Sequence, residues 1–262
     1  MPKEKRLITA ALPYTNNVPH LGNMVGSHYP ADVFARYCRL AGYDTVFIGG
    51  TDEHGTASEI AAQQNGISPQ ELCDFFYKIH KEIYDWFEIS YDNFSRTSKK
   101  IHHETSNEFL KQVYKNGYIL EKKIKLPYCL SCKRELADRY IEGTCPKCGF
   151  ENARGDQCEN CGTLLDPEKL LKAKCKACAS NRIEFKEVQH LFLDLEKLSP
   201  KIEKWLEKNK QLRPQVKNLA LAWIRDGLKP RCITRNLNWG IQVPIKGYEH
   251  FVWYVWAEAP IG

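Results

Sequence analysis

Apolar positions in the first 117 residues follow two different periods. RLITAAL (6–12) and DTVFIGG (44–50) are short, nearly continuous apolar runs, the pattern of parallel strands covered on both faces. Elsewhere the spacing is helical. Ala31, Val33, Phe34, Tyr37 and Leu40 trace one helix, which Gly42 stops. Leu72, Phe75, Phe76, Ile79, Ile83, Trp86 and Phe87 trace another, and this face is expected in the core. Ser68 as cap, Pro69 at the first helical position and Glu71 closing a capping box mark its start. A helix from Glu104 to Asn116 ends at Gly117. Strand, helix, strand, helix predicts an α/β protein with a parallel sheet of the Rossmann type.

The texture changes at residues 118–230. Stretches such as GTCPKCGFENARGDQCENCG are rich in small and polar residues and poor in large apolar ones, so they need a cross-link or metal to fold. Beyond them, SPKIEKWLEKNK reads as an amphipathic helix opened by Ser199 and Pro200, and QVKNLALAWIRDG as a second helix closed by Gly227. Residues 231–262 are aromatic and β-prone. Three segments are expected: 1–117, 118–230 as an insertion, and 231–262 as a return to the first.

Eleven cysteines sharpen the reading of the insertion. Eight form four Cys-x-x-Cys pairs, Cys129/Cys132, Cys145/Cys148, Cys158/Cys161 and Cys175/Cys178. Two thiolates separated by two residues curl around one tetrahedral ion, which argues for zinc. The spacing alone leaves open which pairs combine around one ion. Cys38, Cys73 and Cys232 sit in apolar surroundings and are expected in the core. With 43% hydrophobic and 27% charged residues the chain reads as a folded protein, and a net charge of +6 permits a polyanionic partner without requiring one. No apolar run approaches the roughly 18 residues of a membrane span, and no secretory signal is seen, so a cytoplasmic protein is expected.

Candidate chemistry gathers where strands end. ALPYTNNVPHLGN (11–23) joins the first strand to the first helix, and such junctions hold ligands outside the carboxyl ends of α/β strands. A helix N-terminus favours phosphate, His20 and Asn23 supply donors there, and Gly22 permits close approach. After the second strand, GGTDEHGT places Asp52 at the same edge, where a carboxylate can hold an ammonium group.

These stretches, with ADVFARYCRLAGYDTVFIGGTDEHGT, the cysteine knuckles and FVWYVWAEAPIG, resemble the N-terminal half of methionyl-tRNA synthetases, a class I family. His20 to Asn23 match that class's HIGH signature in its HxGN form. The four Cys-x-x-Cys pairs are similar to the archaeal-type members. The resemblance implies activation of methionine by ATP with magnesium, giving methionyl-adenylate, and transfer to tRNA(Met). His20, Gly22 and Asn23 would serve ATP, with His20 and Asn23 stabilising charge on the α-phosphate. Leu12 through its backbone and Asp52 would hold the methionine ammonium, Arg235 would pair with that aspartate, and Tyr14, Trp256 and Pro260 would surround the thioether. All eight knuckle cysteines would bind one or two structural zinc ions, the inner pairs Cys145/Cys148 and Cys158/Cys161 matching the family's site and a nested second site from the outer pairs being favoured over sequential pairing. Lys172, Lys174 and Lys176 suit contact with tRNA phosphate.

The sequence contains no KMSKS signature, and its last residues read as an interruption. A catalytic fragment is therefore expected, completed by a separate chain carrying the second half of the fold and an anticodon-binding domain. The alternative reading is a catalytically inactive, zinc-dependent RNA-binding protein of the same fold.

Overall fold

A computed structural model describes residues 4–136, 140–155, 157–163 and 165–262. The chain divides into two compact units, one of Met1–Ser106, Leu237–Ile241 and Val255–Gly262, the other of Asn107–Asn236 and Gln242–Tyr254.

The first unit is built on β1 (Lys5–Thr9), α1 (Leu21–Asn23), a π-helical turn (Met24–His28), α2 (Tyr29–Leu40), β2 (Asp44–Thr51), α3 (Thr56–Asn65), α4 (Pro69–Trp86) and β3 (Asn93–Arg96). Its sheet is parallel in the order β1-β2-β3, with Lys5–Thr9 in register with Asp44–Ile48 and Ile48–Thr51 with Asn93–Arg96. The α/β class expected from the apolar periods is thus observed, and β3 is a strand that those periods did not reveal. Its core packs Ile8, Met24, Ala35, Cys38, Phe47, Tyr84 and Ile89.

Helix α4 buries only part of the face expected of it, and on both α2 and α4 polar residues join the buried side. On α2, Ala35, Cys38 and Asp32 are buried, whereas Val33, Phe34, Tyr37 and Leu40 are exposed. On α4, Leu72, Cys73, His80 and Tyr84 are buried, while Phe75 is 59% and Trp86 76% exposed. Hydrogen bonds offset the cost of burying Asp32 and one ring nitrogen of His80, while His80 Nδ1 lacks a partner among the described residues. Asp32 accepts from the Ser90 amide at 2.7 Å and from Arg36 at 2.7 Å, and His80 Nε2 bonds the Asn17 carbonyl at 2.8 Å. The capping box of Ser68 and Glu71 forms as expected. The π-helical turn is anchored by His28, whose ring nitrogens meet the hydroxyls of Tyr91 at 2.6 Å and Tyr84 at 3.1 Å. Burial pushes the His28 imidazole down to about 4.

The boundary between the units falls within α5 (Lys100–Lys115). In the second unit, β4 (Ile119–Cys129) and β9 (Ile183–Leu193) pair antiparallel over their whole lengths. They lie in a sheet ordered β10-β9-β4-β5, with β5 at Arg134–Glu135 and β10 at Arg231–Cys232. A smaller sheet, β7-β6-β8, comprises β6 (Ile141–Thr144), β7 (Ala153–Arg154) and β8 (Leu171–Cys175). Helices α6 (Leu195–Lys208) and α7 (Pro214–Arg225) follow. Helix α6 begins one turn before the expected Ser-Pro start, because Asp194 accepts from the Lys197 amide at 3.1 Å and caps it there. The aromatic tail forms only a short ladder of β11 (Thr234–Arg235) with β12 (Val252–Trp253), and then α8 (Val255–Glu258) of the first unit. Cys38 and Cys73 are buried as expected, and Cys232 is half-buried. Among the described residues no helix is long and apolar enough to cross a membrane.

Candidate functional site

The carboxyl end of β2 delivers Asp52. Its backbone amide donates to the Pro13 carbonyl at 2.9 Å, and its carbonyl accepts from the Thr15 amide at 3.2 Å. These bonds hold the 11–20 loop alongside the strand end although β1 has stopped at Thr9. Ser27 adds a second tie by accepting from the Ala11 amide at 2.8 Å. A cleft of about 380 Å³ opens at this edge, lined by Leu12, Asp52, Trp256 and Pro260 among others. Tyr14 meets Trp256 edge-on, with ring centroids 6.3 Å apart and planes at 89°. Five of the residues expected around methionine are therefore brought together.

Asp52 is 3% exposed, and its Oδ1 has no hydrogen-bond partner among the described residues. Burial pushes its carboxyl up to about 8, and the negative charges of Glu258 and Glu53 add to the shift. Both neighbours are held by cations or donors of their own. Glu53 accepts from Arg96 at 2.7 Å and Thr51 at 2.8 Å. Glu258 meets His54 Nδ1 at 2.9 Å through one oxygen and His102 Nε2 at 2.5 Å through the other. His102 foremost, then His54, hold the Glu258 carboxyl below the usual range against the opposing effect of burial. Glu53, His54, His102 and Glu258 were not singled out from the sequence. The available signal was local: Glu53 and His54 follow Asp52 directly, and Glu258 lies between Trp256 and Pro260.

His20 caps the continuous helical run that starts at Leu21, and it does so reciprocally with Asn23. His20 Nδ1 accepts from the Asn23 amide at 3.3 Å, while Asn23 Oδ1 accepts from the His20 amide at 3.0 Å. This is a capping box in which imidazole replaces the usual hydroxyl. It also explains Gly22, since a Cβ there would lie 2.9 Å from His20 Cε1. With Nδ1 accepting, the neutral ring carries its proton on Nε2, leaving that atom as a donor on an exposed side chain. His20, Gly22 and Asn23 do not line the cleft of Asp52.

Within the second unit, Arg235 donates to the carbonyls of Cys232 at 3.3 Å and Thr234 at 2.9 Å, and its guanidinium lies 4.2 Å over the Tyr254 ring. The eight knuckle cysteines gather into two groups, Cys145/Cys148/Cys158/Cys161 and Cys129/Cys132/Cys175/Cys178. This is the nested arrangement. Neighbouring thiols are 3.6 and 3.9 Å apart in the inner group and 3.7 and 3.8 Å in the outer. Four sulfurs at about 2.3 Å from one ion in a tetrahedron are separated by about 3.8 Å, so the spacing fits zinc, whereas a disulfide needs about 2 Å. Each knuckle turns the same way, with a left-handed residue directly after its second cysteine: Lys133, Gly149, Gly162 and Ala179, at φ of 54°, 75°, 69° and 57°. Of the candidate phosphate-binding lysines, Lys174 is paired with Glu142 at 3.3 Å and Lys172 is exposed.

The family model for class I tRNA synthetases (M) matches residues 6–262. A methionine–tRNA ligase of Treponema denticola is 50% identical over 262 residues, covering 99% of this chain and 33% of that protein. The human cytoplasmic methionine–tRNA ligase is 48% identical over 259 residues, covering 98% of this chain and 29% of its own length. The chain thus spans about a third of the length of these relatives. Among solved structures, Mycobacterium tuberculosis methionyl-tRNA synthetase in complex with methionyl-adenylate superposes with a TM-score of 0.75 at 25% identity, over 98% of this chain and 46% of that one. A parallel sheet with its ligand cleft at the strand ends, a His-Leu-Gly-Asn cap and two nested cysteine clusters all fall inside the matched region, and the chain belongs to the class I tRNA synthetases of the methionine type.

Proposed function

We propose that the cleft at Asp52 binds methionine and that this chain contributes to its ATP-dependent activation to methionyl-adenylate and its transfer to tRNA(Met). The observation that carries the reading is Oδ1 of Asp52, buried in the cleft without a partner. An unmet acceptor in a low-dielectric cleft is expensive, and an entering ammonium satisfies it while drawing the carboxyl into its ionised form. The Leu12 carbonyl is the second acceptor assigned to that ammonium. A thioether gains from contact with aromatic rings, which Trp256 offers on the cleft wall with Pro260, Tyr14 meeting Trp256 edge-on. His20 Nε2 and the Asn23 amide nitrogen are assigned to the α-phosphate of ATP, whose magnesium comes with the nucleotide. Their contribution is position and charge stabilisation as the methionine carboxylate attacks that phosphorus and pyrophosphate leaves. The methionyl-adenylate held by the Mycobacterium tuberculosis enzyme supports the assignment.

The two cysteine clusters are assigned to structural zinc. Four thiolates complete a tetrahedral shell and leave no open position, so the ion's contribution is to fold. The names of the cytoplasmic relatives favour a cytoplasmic location.

Calorimetric titration of the chain with methionine tests the reading. Binding that Asp52→Ala abolishes is the expected result, and methionine-dependent exchange of pyrophosphate into ATP measures how much of the activation step this chain carries. Unchanged affinity in Asp52→Ala would sink the assignment. Retention of a tRNA acceptor minihelix with no response to methionine would favour the zinc-dependent RNA-binding reading instead.

A further inference from the structure

Glu258 is fully buried, a poor place for a carboxylate unless something requires it. Its two oxygens each take one imidazole, and those imidazoles come from separate segments. His54 follows Asp52 on the loop after β2, and His102 lies in the first turn of α5. Glu258 itself ends α8, two residues after Trp256 and two before Pro260. One carboxylate therefore ties the loop that carries Asp52 to the segment that carries the aromatic and proline wall of the cleft. Beyond it, His54 Nε2 meets His103 Nε2 at 3.3 Å. In a neutral His54 that donates from Nδ1 to Glu258, Nε2 is the acceptor and His103 the donor.

We propose that Glu258 is a positioning residue of the methionine cleft, whose doubly bonded carboxylate locks the Trp256–Pro260 wall to the Asp52 loop and sets a second negative charge beside Asp52. The proposal rests on the methionine reading above and adds a residue and a control to it. The charged and titratable groups around Glu258 are His54 and His102 in contact, His103 behind His54, and Asp52 and Glu53 as acidic neighbours. Held below its usual range, the Glu258 carboxyl is ionised at neutral pH. Its negative charge still acts on Asp52, as the second cause after burial of that group's raised pKa. An empty cleft thus holds a neutral acid, and methionine binding releases a proton.

Titration calorimetry of the full chain with methionine, at about pH 7 in two buffers of different ionisation enthalpy, counts that proton. A carboxyl at about 8 releases about 0.9 proton per methionine at about pH 7. Glu258→Gln keeps the shape and can bond both histidines, so it is expected to fold. It should bind methionine with proton release reduced to about half or less, the effect of a carboxyl lowered by about one unit. Glu258→Ala, which cuts the tie, should weaken methionine about tenfold or more. A wild-type chain that binds methionine, with the same proton count in Glu258→Gln, would overturn the electrostatic half. Affinity within twofold of wild type in a folded Glu258→Ala would overturn the positioning half, leaving the methionine reading intact. A wild-type chain that binds no methionine would remove the reading and this proposal with it.

Discussion

Asp52→Asn should make the protein more stable and leave it without its substrate site. In the unfolded chain this aspartate ionises at its ordinary 3.8, and in the folded chain at about 8. At pH 7 folding must therefore retain a proton that the unfolded chain has released about three pH units earlier, which at about 1.4 kcal/mol per unit opposes folding by about 4 kcal/mol. Because the folded pKa is the raised one, this opposition is absent below about pH 4, grows as the pH rises, and is complete near pH 8. Asparagine cannot ionise and removes the slope. Its own amide still lacks a partner in the cleft, so the net gain expected at pH 7 is about 2–4 kcal/mol. Urea unfolding of both proteins at about pH 4, 5.5 and 7 reads the difference directly, since any change of the cysteine clusters at low pH affects both alike. The two stabilities should converge near pH 4. A variant less stable than wild type at pH 7, or a stability difference that does not change with pH, would refute the account of a buried, unpartnered carboxyl. A gain in stability at the expense of binding is the usual trade at a site shaped for a ligand.

Gly22→Ala should disturb the cap, because its Cβ would press on the His20 ring and break the reciprocal pair with Asn23. A loss of about 1 kcal/mol in unfolding free energy, with weaker nucleotide affinity by fluorescence titration, is expected, and unchanged values in both would contradict the cap geometry. Ala179→Gly relieves a left-handed conformation held by a residue with a Cβ. It should raise the stability of the metal-loaded protein by about 1 kcal/mol, and a decrease in the unfolding midpoint would show that this turn is not left-handed.

How far the sequence could be read depended on whether a signal was local. Ser68 and Glu71 announced their capping box because every atom involved lies within one turn. The four Cys-x-x-Cys pairs announced metal-like clusters for the same reason, although the nesting required the β6–β8 and β4–β9 pairings, with partners up to 74 residues apart in the second case, to bring the pairs together. Apolar spacing located α2 and α4 but not the full set of residues they bury. Periodicity measures where apolar residues recur, whereas the burial of Asp32 is supported by bonds from Ser90, and that of His80 by the bond of one ring nitrogen to Asn17, which no period records. Strand β3 escaped because Asn93–Arg96 is short and half polar. Asp52, Leu12, Trp256 and Pro260 reached one cleft as expected of the family, but the Glu258 tie was invisible, since its partners lie 156 and 204 residues away.

Nesting one thiol cluster inside another has a consequence for the order of assembly. The facing inner cysteines Cys148 and Cys158 are 10 residues apart, while the outer Cys132 and Cys175 are 43 apart. Closing the longer loop costs about 1 kcal/mol more in chain entropy, so the inner cluster is the one that an unfolded chain closes first. Once closed, it shortens the free chain that the outer cluster must span and makes that second closure easier. Metal uptake through such an arrangement runs from the inside outward, and removal by a chelator runs from the outside inward. A cell short of the ion would accumulate a half-loaded species with the inner knuckle formed and the outer one, at the ends of β4 and β8, still open.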